Sequence, residues 1–441
     1  MWFTHGTALP SLPFCFLAAL PLVLGKGNPR DVLRYGTPQS MGMNPKPLRQ
    51  MVSNLTAYTH AGNYSAASHY QIHPIEPGGV VIVGRAGTIV SEFAFGKQSL
   101  YADANGTLLP HRLQEDATVD TIYDIASLTK LFTTVAVLKQ IDAGKIGLKE
   151  RVSKYVPSFR VNGKKNITIL MLLTHTSGFD ADPVPSLYSD AYKTHAERID
   201  AILGQHLLNS PGSTFLYSDL NFMTLMIVLE TVTGRKLDVL IREITTSLDM
   251  HSTFFNKNNV EGSKNPYYRR AAVQEFQIEV LGSGEPARPQ PVRGTVHDEN
   301  AWALGGVSGH AGLFSTVRDT ARFCQMILNN GTYGGRRILS KKAVDLIFTN
   351  FNAHFNDIDS YHGAGFELDQ YYTAGPLNTT LVASHTGFTG TSLVVDRGRD
   401  LFYIQFSNRI HPTRTWSSNN IVRKAIGYWV GTSLGLNLQF P

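Results

Sequence analysis

The most regular hydrophobic pattern in the chain runs through Leu128, Leu131, Phe132, Val135 and Leu138. That spacing is helical, and Gly144 supplies a left-handed residue to end the helix. Similar patterns predict helices over 46–60, 222–234, 236–248, 318–328, 340–348 and 421–430. β-Branched and aromatic runs predict strands instead. Residues 79–96 read as a hairpin around Gly84-Arg85-Ala86-Gly87, and 380–387, 391–396 and 401–406 as short strands, the last two joined by a turn over 397–400. Residues 167–178 form an apolar segment closing in a small polar turn. Residues 256–295 lack a period and carry Pro, Gly and Arg, which predicts a long surface excursion.

Strands at both ends with helices between them predict an α/β fold. One antiparallel sheet is built from both chain ends and flanked by helices, with an inserted helical lobe and a cleft between the two. The expected boundaries are 30–126 and 304–441 for the sheet lobe and 127–303 for the mainly helical lobe.

The chain has 441 residues, 42% hydrophobic and 17% charged, which is a globular composition. A net charge of +6 without a dense Lys/Arg block argues against a nucleic-acid partner. The apolar run 12–25 is short and broken by proline, so it reads as the core of a signal peptide over 1–25 rather than a membrane span. No Lys or Arg precedes it. The expected location is therefore extracellular or the lumen of the secretory pathway. Six Asn-x-Ser/Thr acceptors fit that location, at Asn54, Asn63, Asn105, Asn166, Asn330 and Asn378, and modification would require each to be exposed. Of the two cysteines, Cys15 lies in the signal-like run. That leaves Cys324, in an apolar helical pattern, as a buried structural thiol.

The candidate chemistry begins at Ser127-Leu-Thr-Lys130. Residues three apart share a helix face, so Lys130 lies beside Ser127 one turn further on. A serine needs a base or an electrostatic partner to become nucleophilic. Burial lowers a lysine pKa, so Lys130 is expected to serve as that base or to hold one in its reactive form. The helix start adds N–H groups suited to an oxyanion. Taken alone, the same residues fit a simple N-cap. Two further elements follow, Tyr217-Ser218-Asp219 and His385-Thr386-Gly387.

In this order the three motifs resemble the serine β-lactamase and penicillin-binding protein superfamily, in its class C β-lactamase, D,D-carboxypeptidase and esterase branch. Residues 172–178, 248–254 and 306–315 resemble the same branch. With the signal-like start, the resemblance implies a secreted eukaryotic β-lactamase-related protein. It makes Ser127 the nucleophile of an acyl-enzyme, Lys130 its base or electrostatic partner, and Tyr217 the proton shuttle. It places the oxyanion hole at the N–H groups of Ser127 and Phe388. It also gives Asp219, His385, Thr386, Gly387 and Phe388 to substrate binding, and implies no cofactor and no metal. Lys130 is placed to lower the Tyr217 pKa.

Asp219 stands where β-lactamases usually have Asn, and an ionised carboxylate accepts hydrogen bonds but cannot donate to a substrate carbonyl. It is able instead to pair with Lys130. His385 stands where they usually have Lys, and a neutral imidazole attracts a carboxylate less. Both changes favour an ester, lactone or small amide of a small molecule or short peptide, for hydrolysis or acyl transfer. The remaining alternative is a catalytically silent binding protein.

Other motifs carry less. Gly431-Thr-Ser-Leu-Gly435 matches a nucleophile elbow but follows a helix, with no later histidine. His175 beside Ser177 fits a capped turn. His297, Asp298 and His310 lack metal-ligand spacing and fit loops and turns. The glycine-dense run 305–312 fits a close backbone approach, and His411-Pro412 a turn near the sheet edge.

Overall fold

The computed structural model describes Met1 and residues 31–277 and 288–441. The signal-like run and Cys15 lie outside them. The hairpin forms as β2 (Gly78–Arg85) and β3 (Thr88–Ser99), after the short edge strand β1 (Arg34–Tyr35). Its two turn residues, Ala86 and Gly87, both have positive φ (49° and 79°), the twist a two-residue hairpin requires. The chain adds β4 (Glu115–Asp116), and its C-terminal part returns β5 (Glu367–Leu368), β6 (Val382–Thr386), β7 (Ser392–Asp396) and β8 (Leu401–Ser407). The sheet order is β1-β3-β2-β8-β7-β6-β5, with β4 paired to β3. Strands from the two chain ends meet where β8 pairs antiparallel with β2, Ile404 opposite Ile82.

Both faces of this sheet are covered. Val80 and Ile82 of β2 and Phe402, Ile404 and Phe406 of β8 enter one core cluster; Val81, Val83, Leu401 and Tyr403 enter another. Successive side chains of a strand point to opposite faces, so a strand buried on both must be apolar throughout. Helix α1 (Pro45–Ala57) and the C-terminal helix α6 (Asn420–Ser433) cover one face. The other face meets α5 (Val317–Leu328) and the helical region. That region holds α2 (Thr129–Asp142), α3 (Asp219–Thr233) and α4 (Leu237–Ser247). One continuous apolar cluster includes Val80 of the sheet, Leu225 of α3 and Ile241 of α4, so the core runs through both layers. Helix α2 is buried all round from Thr129 to Leu138. Cys324 of α5 is a buried thiol, and burial raises its pKa. Among the described residues, no helix is long and apolar enough to cross a membrane.

The predicted surface excursion over 256–295 is corrected in its second half. Residues 271–275 are buried and tied to distant segments: the Val273 N–H donates to Gln98 O, and the Asn408 amide donates to Val273 O. Such an extended, long-range-paired strip has no local period to detect. Residues 278–287 lie outside the description. The expected exposure of the acceptor asparagines also needs correction. Asn63, Asn105 and Asn166 are exposed, whereas Asn54, Asn330 and Asn378 are half-buried with engaged amides. Asn54 accepts from Trp429, Asn330 accepts from Arg397, and the Asn378 amide nitrogen donates to Asp369.

Phe132 of α2 stacks on Phe323 of α5 at 4.3 Å between ring centroids, both fully buried, and this contact joins the helical core to the sheet layer. Phe323→Ala is expected to cost about 3–5 kcal/mol, read as a lower urea midpoint at unchanged slope. A loss below about 1 kcal/mol would contradict this packing role.

Candidate active site

Ser127 sits in a 3-10 turn, Ala126–Leu128, that runs directly into α2. Ala126 holds a left-handed φ of 46°, uncommon for a residue with a side chain. Asp124 pins this turn. One of its carboxylate oxygens accepts from the Ala126 N–H at 2.8 Å, and the other accepts from the His297 N–H at 2.7 Å. The loop after β6 clamps the same turn, with Thr389 Oγ1 donating to Asp124 O (2.7 Å) and Thr391 Oγ1 to Ile125 O (3.1 Å). A Cβ on Gly387 would lie 2.6 Å from Ile125 O, so only glycine lets the His385-Thr386-Gly387 strand end approach the serine turn.

Lys130 is fully buried, and its ammonium makes three contacts. It donates to Ser127 Oγ at 2.9 Å and to His310 O at 3.2 Å, and pairs with Asp219 Oδ1 at 2.7 Å. Two of these contacts are hydrogen bonds and the third is an ion pair. The glycine-dense run delivers the His310 carbonyl. A Cβ on Gly309 would fall 2.0 Å from Phe222 O, which confirms the close approach read from the sequence.

The expected lowering of the Lys130 pKa is overturned. Burial alone would lower it, but the Asp219 carboxylate and then Tyr217 raise it above the ordinary lysine value. The Lys130 ammonium lies 4.8 Å from the centre of the Tyr217 ring. Burial nevertheless pushes Tyr217 up to about 12, with Asp219 adding to the rise. The pull from Lys130 and Ser127 is too weak to reverse it. The structure thus gathers Ser127, Lys130, Tyr217 and Asp219 into one group centred on the Lys130 ammonium.

Thr386, Gly387 and Phe388 line the cavity facing Ser127, and His385 is buried behind them, 5.9 Å from the Tyr217 ring. His385 Nδ1 donates to Thr386 O at 2.7 Å; burial, then Lys130, lower the imidazole to about 3, so it is neutral. Phe388 is half-exposed at the rim. It lines two cavities that meet at Ser127, of about 480 and 450 Å³.

Several residues read as turns or loops belong to this site. His175 accepts at Nδ1 from the Ser218 N–H (3.0 Å) and stacks 4.5 Å from Tyr217, fixing the tyrosine ring from behind. Ser177 is linked to it through Asn221: the serine hydroxyl donates to Asn221 Oδ1, and Asn221 Nδ2 lies 3.1 Å from His175 Nδ1. His310 Nε2 donates to Asp298 at 2.8 Å and lies 4.0 Å from Asp219. Burial disfavours the imidazolium, but Asp298 and Asp219 raise His310 above its ordinary value. His297 binds Glu275 at 2.8 Å and stacks on Phe388. His411 closes a turn on Asn408 and accepts from the Leu100 and Tyr101 N–H groups in the core, after the central strand β8 rather than at a sheet edge. Asp219, Asp298 and His310 offer ligand atoms close enough to share a cation. The Lys130 ammonium and the His310 proton already hold those carboxylates, and a metal would have to displace both. Ser433 of the rejected elbow is buried in α6 and donates to Val430 O. The shared signal for His175 and His310 was a histidine inside a glycine- or serine-rich turn; Asp124 stood three residues before the serine.

A Ser-x-x-Lys turn opening a buried helix, beside a mostly antiparallel sheet that joins both chain ends and is covered on both faces, defines the β-lactamase and transpeptidase class of fold. The Beta-lactamase family model matches residues 67–427, and the chain belongs to that family of serine hydrolases. It is similar to an Escherichia coli (strain K12) protein named as a D-alanyl-D-alanine carboxypeptidase, with 30% identity over 400 residues and 86% of each chain covered. Two solved structures share the fold. The octameric penicillin-binding protein homologue from Pyrococcus abyssi aligns with a TM-score of 0.63 at 20% identity, over 90% of this chain and 78% of its own. EstCE1, a hydrolase with promiscuous acyltransferase activity, aligns with a TM-score of 0.63 at 20% identity, over 87% and 99%.

The Lys130–Asp219 pair has a signed signature. With its pKa raised, Lys130 stabilises the fold fully below the unfolded lysine value near ~10.4, and that contribution fades as pH rises through the folded value. Asp219→Asn removes the group that opposes burial most strongly, lowers the Lys130 pKa and reverses the sign. The variant is expected to be about 3–5 kcal/mol less stable than wild type at neutral pH, with the gap narrowing toward about pH 10 as its lysine sheds the proton. Denaturant midpoints of both proteins across this range check it; a gap independent of pH would contradict the pairing.

Proposed function

We propose that the protein is a secreted serine hydrolase that forms an acyl-enzyme on Ser127 and acts on an ester, lactone or amide of a small molecule or short peptide. The observation that carries this reading is the Lys130 ammonium, held by Asp219 and donating to Ser127 Oγ at 2.9 Å. Secretion is supported by the signal-like start and by the exposed acceptors Asn63, Asn105 and Asn166.

Lys130 is charged, so it acts as a fixed cation rather than the base. It stabilises negative charge developing on Ser127 Oγ and on the Tyr217 oxygen. Tyr217, protonated in the neutral range, relays the proton. As Ser127 Oγ bonds to the substrate carbonyl carbon, its proton passes to the Tyr217 oxygen. The Tyr217 proton passes to the leaving group as that bond breaks. Water then attacks the acyl-enzyme, and the relay runs in reverse to restore Ser127. The N–H groups of Ser127 and Phe388 hold the oxyanion, brought together by the Thr389 and Thr391 clamps on the serine turn. Acyl transfer is the second reading. Two cavities meeting at Ser127 leave room for an acceptor in place of water, and EstCE1 is named for such activity.

Hydrolysis of a short-chain p-nitrophenyl ester tests the assignment. Ser127→Ala is expected to abolish turnover and the mass shift left by a serine-reactive phosphonate. Tyr217→Phe is expected to lose about 10²–10⁴-fold through loss of the relay. Because the relay requires Tyr217 protonated, the wild-type rate on this neutral ester is expected to stay flat from about pH 7 to 9. Equal turnover by wild type and Ser127→Ala would end the reading.

A further inference from the structure

The smaller cavity at Ser127 carries an imidazole that the Tyr217 relay does not use. His297 lines it together with Ser127 and Tyr217. The residue is 3% exposed and is held at three points. Its backbone N–H donates to Asp124 Oδ2 at 2.7 Å, and the other oxygen of that carboxylate holds the serine turn. Its ring stacks on Phe388 at 5.6 Å between centroids. Its Nε2 lies 2.8 Å from Glu275 Oε2.

These contacts decide the tautomer. Burial works against a charge on Glu275, but His297 and Arg414 hold its carboxyl down at about 2. It is therefore a carboxylate, which accepts and does not donate, and the imidazole proton sits on Nε2. Arg414 also approaches Nε2, at 3.4 Å, but its nitrogens have nearer acceptors in Glu275 (2.7 Å) and Glu299 (2.6 Å). In the neutral ring Nδ1 then keeps its lone pair. Both side-chain hydrogen bonds of His297 are made at Nε2, and Nδ1 has no partner among the described residues. Unlike Nε2 of His175 and of His385, it is not sealed off; it opens on the cavity.

We propose that His297 Nδ1 is the seat of the acyl acceptor: it takes a hydrogen bond from the molecule that attacks the acyl-enzyme, and so admits acceptors with two hydrogens on the attacking atom. The proposal rests on the acyl-enzyme reading and names the class of acceptor that this site takes.

Water meets the demand. Its oxygen bonds to the acyl carbon as the bond from that carbon to Ser127 Oγ breaks. One water proton passes to the Tyr217 oxygen, and the Tyr217 proton passes to Ser127 Oγ. The second proton stays on the attacking oxygen, donated to Nδ1, and leaves on the product acid. A primary amine meets the demand in the same way, and its second proton remains on the nitrogen of the product amide. An alcohol has one proton. If it feeds Tyr217, the alcohol oxygen sets a lone pair against Nδ1; if it bonds to Nδ1, the relay receives none. A site built to take a hydrogen bond rejects an analogue that cannot supply it, because a buried polar group is left unpaired.

Rapid mixing with p-nitrophenyl acetate tests this, because the p-nitrophenol burst reads acylation and the steady rate reads deacylation. An asparagine oxygen can stand where Nδ1 stood, and a glutamine amide where Nε2 stood. His297→Gln is expected to acylate like wild type and to deacylate about 10²-fold more slowly, so that acetylated Ser127 accumulates as a mass shift. His297→Asn is expected to restore deacylation. The burst size counts competent sites, so a folding defect lowers the burst instead. With propanol and methoxyamine present, wild type should transfer acetyl to methoxyamine above the enzyme-free rate and leave propanol untouched. In His297→Gln the ratio of propyl acetate to acetate should rise about tenfold or more. Unchanged deacylation in His297→Gln, or loss in His297→Asn with His297→Gln intact, would show a role through Glu275 alone and overturn the proposal. Transfer by wild type to propanol as readily as to methoxyamine would overturn it too. Turnover with no acetylated Ser127 in any of these proteins would sink the acyl-enzyme reading, and the proposal with it.

Discussion

Lys130 is a buried cation where the sheet and helical layers meet, and Asp219 is its carboxylate partner. An unpaired ammonium in this position would cost several kcal/mol or lose its proton. The pair therefore ties the start of α2 to the start of α3, and with them Ser127 to Tyr217. Lys130 also donates to the His310 carbonyl, which brings in the glycine-rich turn. One ion pair thus sets the relative position of three segments far apart in the chain and decides the charge state of the group beside the serine.

Around that pair the site is built by clamps rather than by a single element. Asp124 uses both carboxylate oxygens and its carbonyl to join the serine turn, the His297 backbone and the loop after β6. His175 supports Tyr217 from behind. The Asp298–His310 pair lies against Asp219. Removing any one of these would loosen a neighbour that touches Ser127, Lys130 or Tyr217.

The sequence makes part of this legible. The sheet strands show because a sheet covered on both faces needs unbroken apolar runs, as in Val80 to Val83. The motifs at Ser127, Tyr217 and His385 show because each is short and local. The pairing of Asp219 with Lys130 follows from an acid standing where an amide is usual. The sign of the Lys130 shift does not show, since burial and a distant carboxylate act in opposite directions and only their geometry decides which wins. Glu275, Glu367 and Arg423 are equally silent. Each lies in a stretch without a motif and reaches the cleft region through tertiary packing. The strip 271–277 looks like a loop because its hydrogen bonds run to residues far away in sequence.

The central claim is that Lys130 is a fixed ammonium and not the base. Its side-chain nitrogen resonance, in protein labelled with ¹⁵N-lysine and assigned by comparison with Lys130→Arg, measures this directly. The account predicts that Lys130 stays an ammonium from neutral pH to above the ordinary lysine value, near ~10.4. A resonance that converts to the neutral amine below about pH 8 would contradict it and return the base to Lys130.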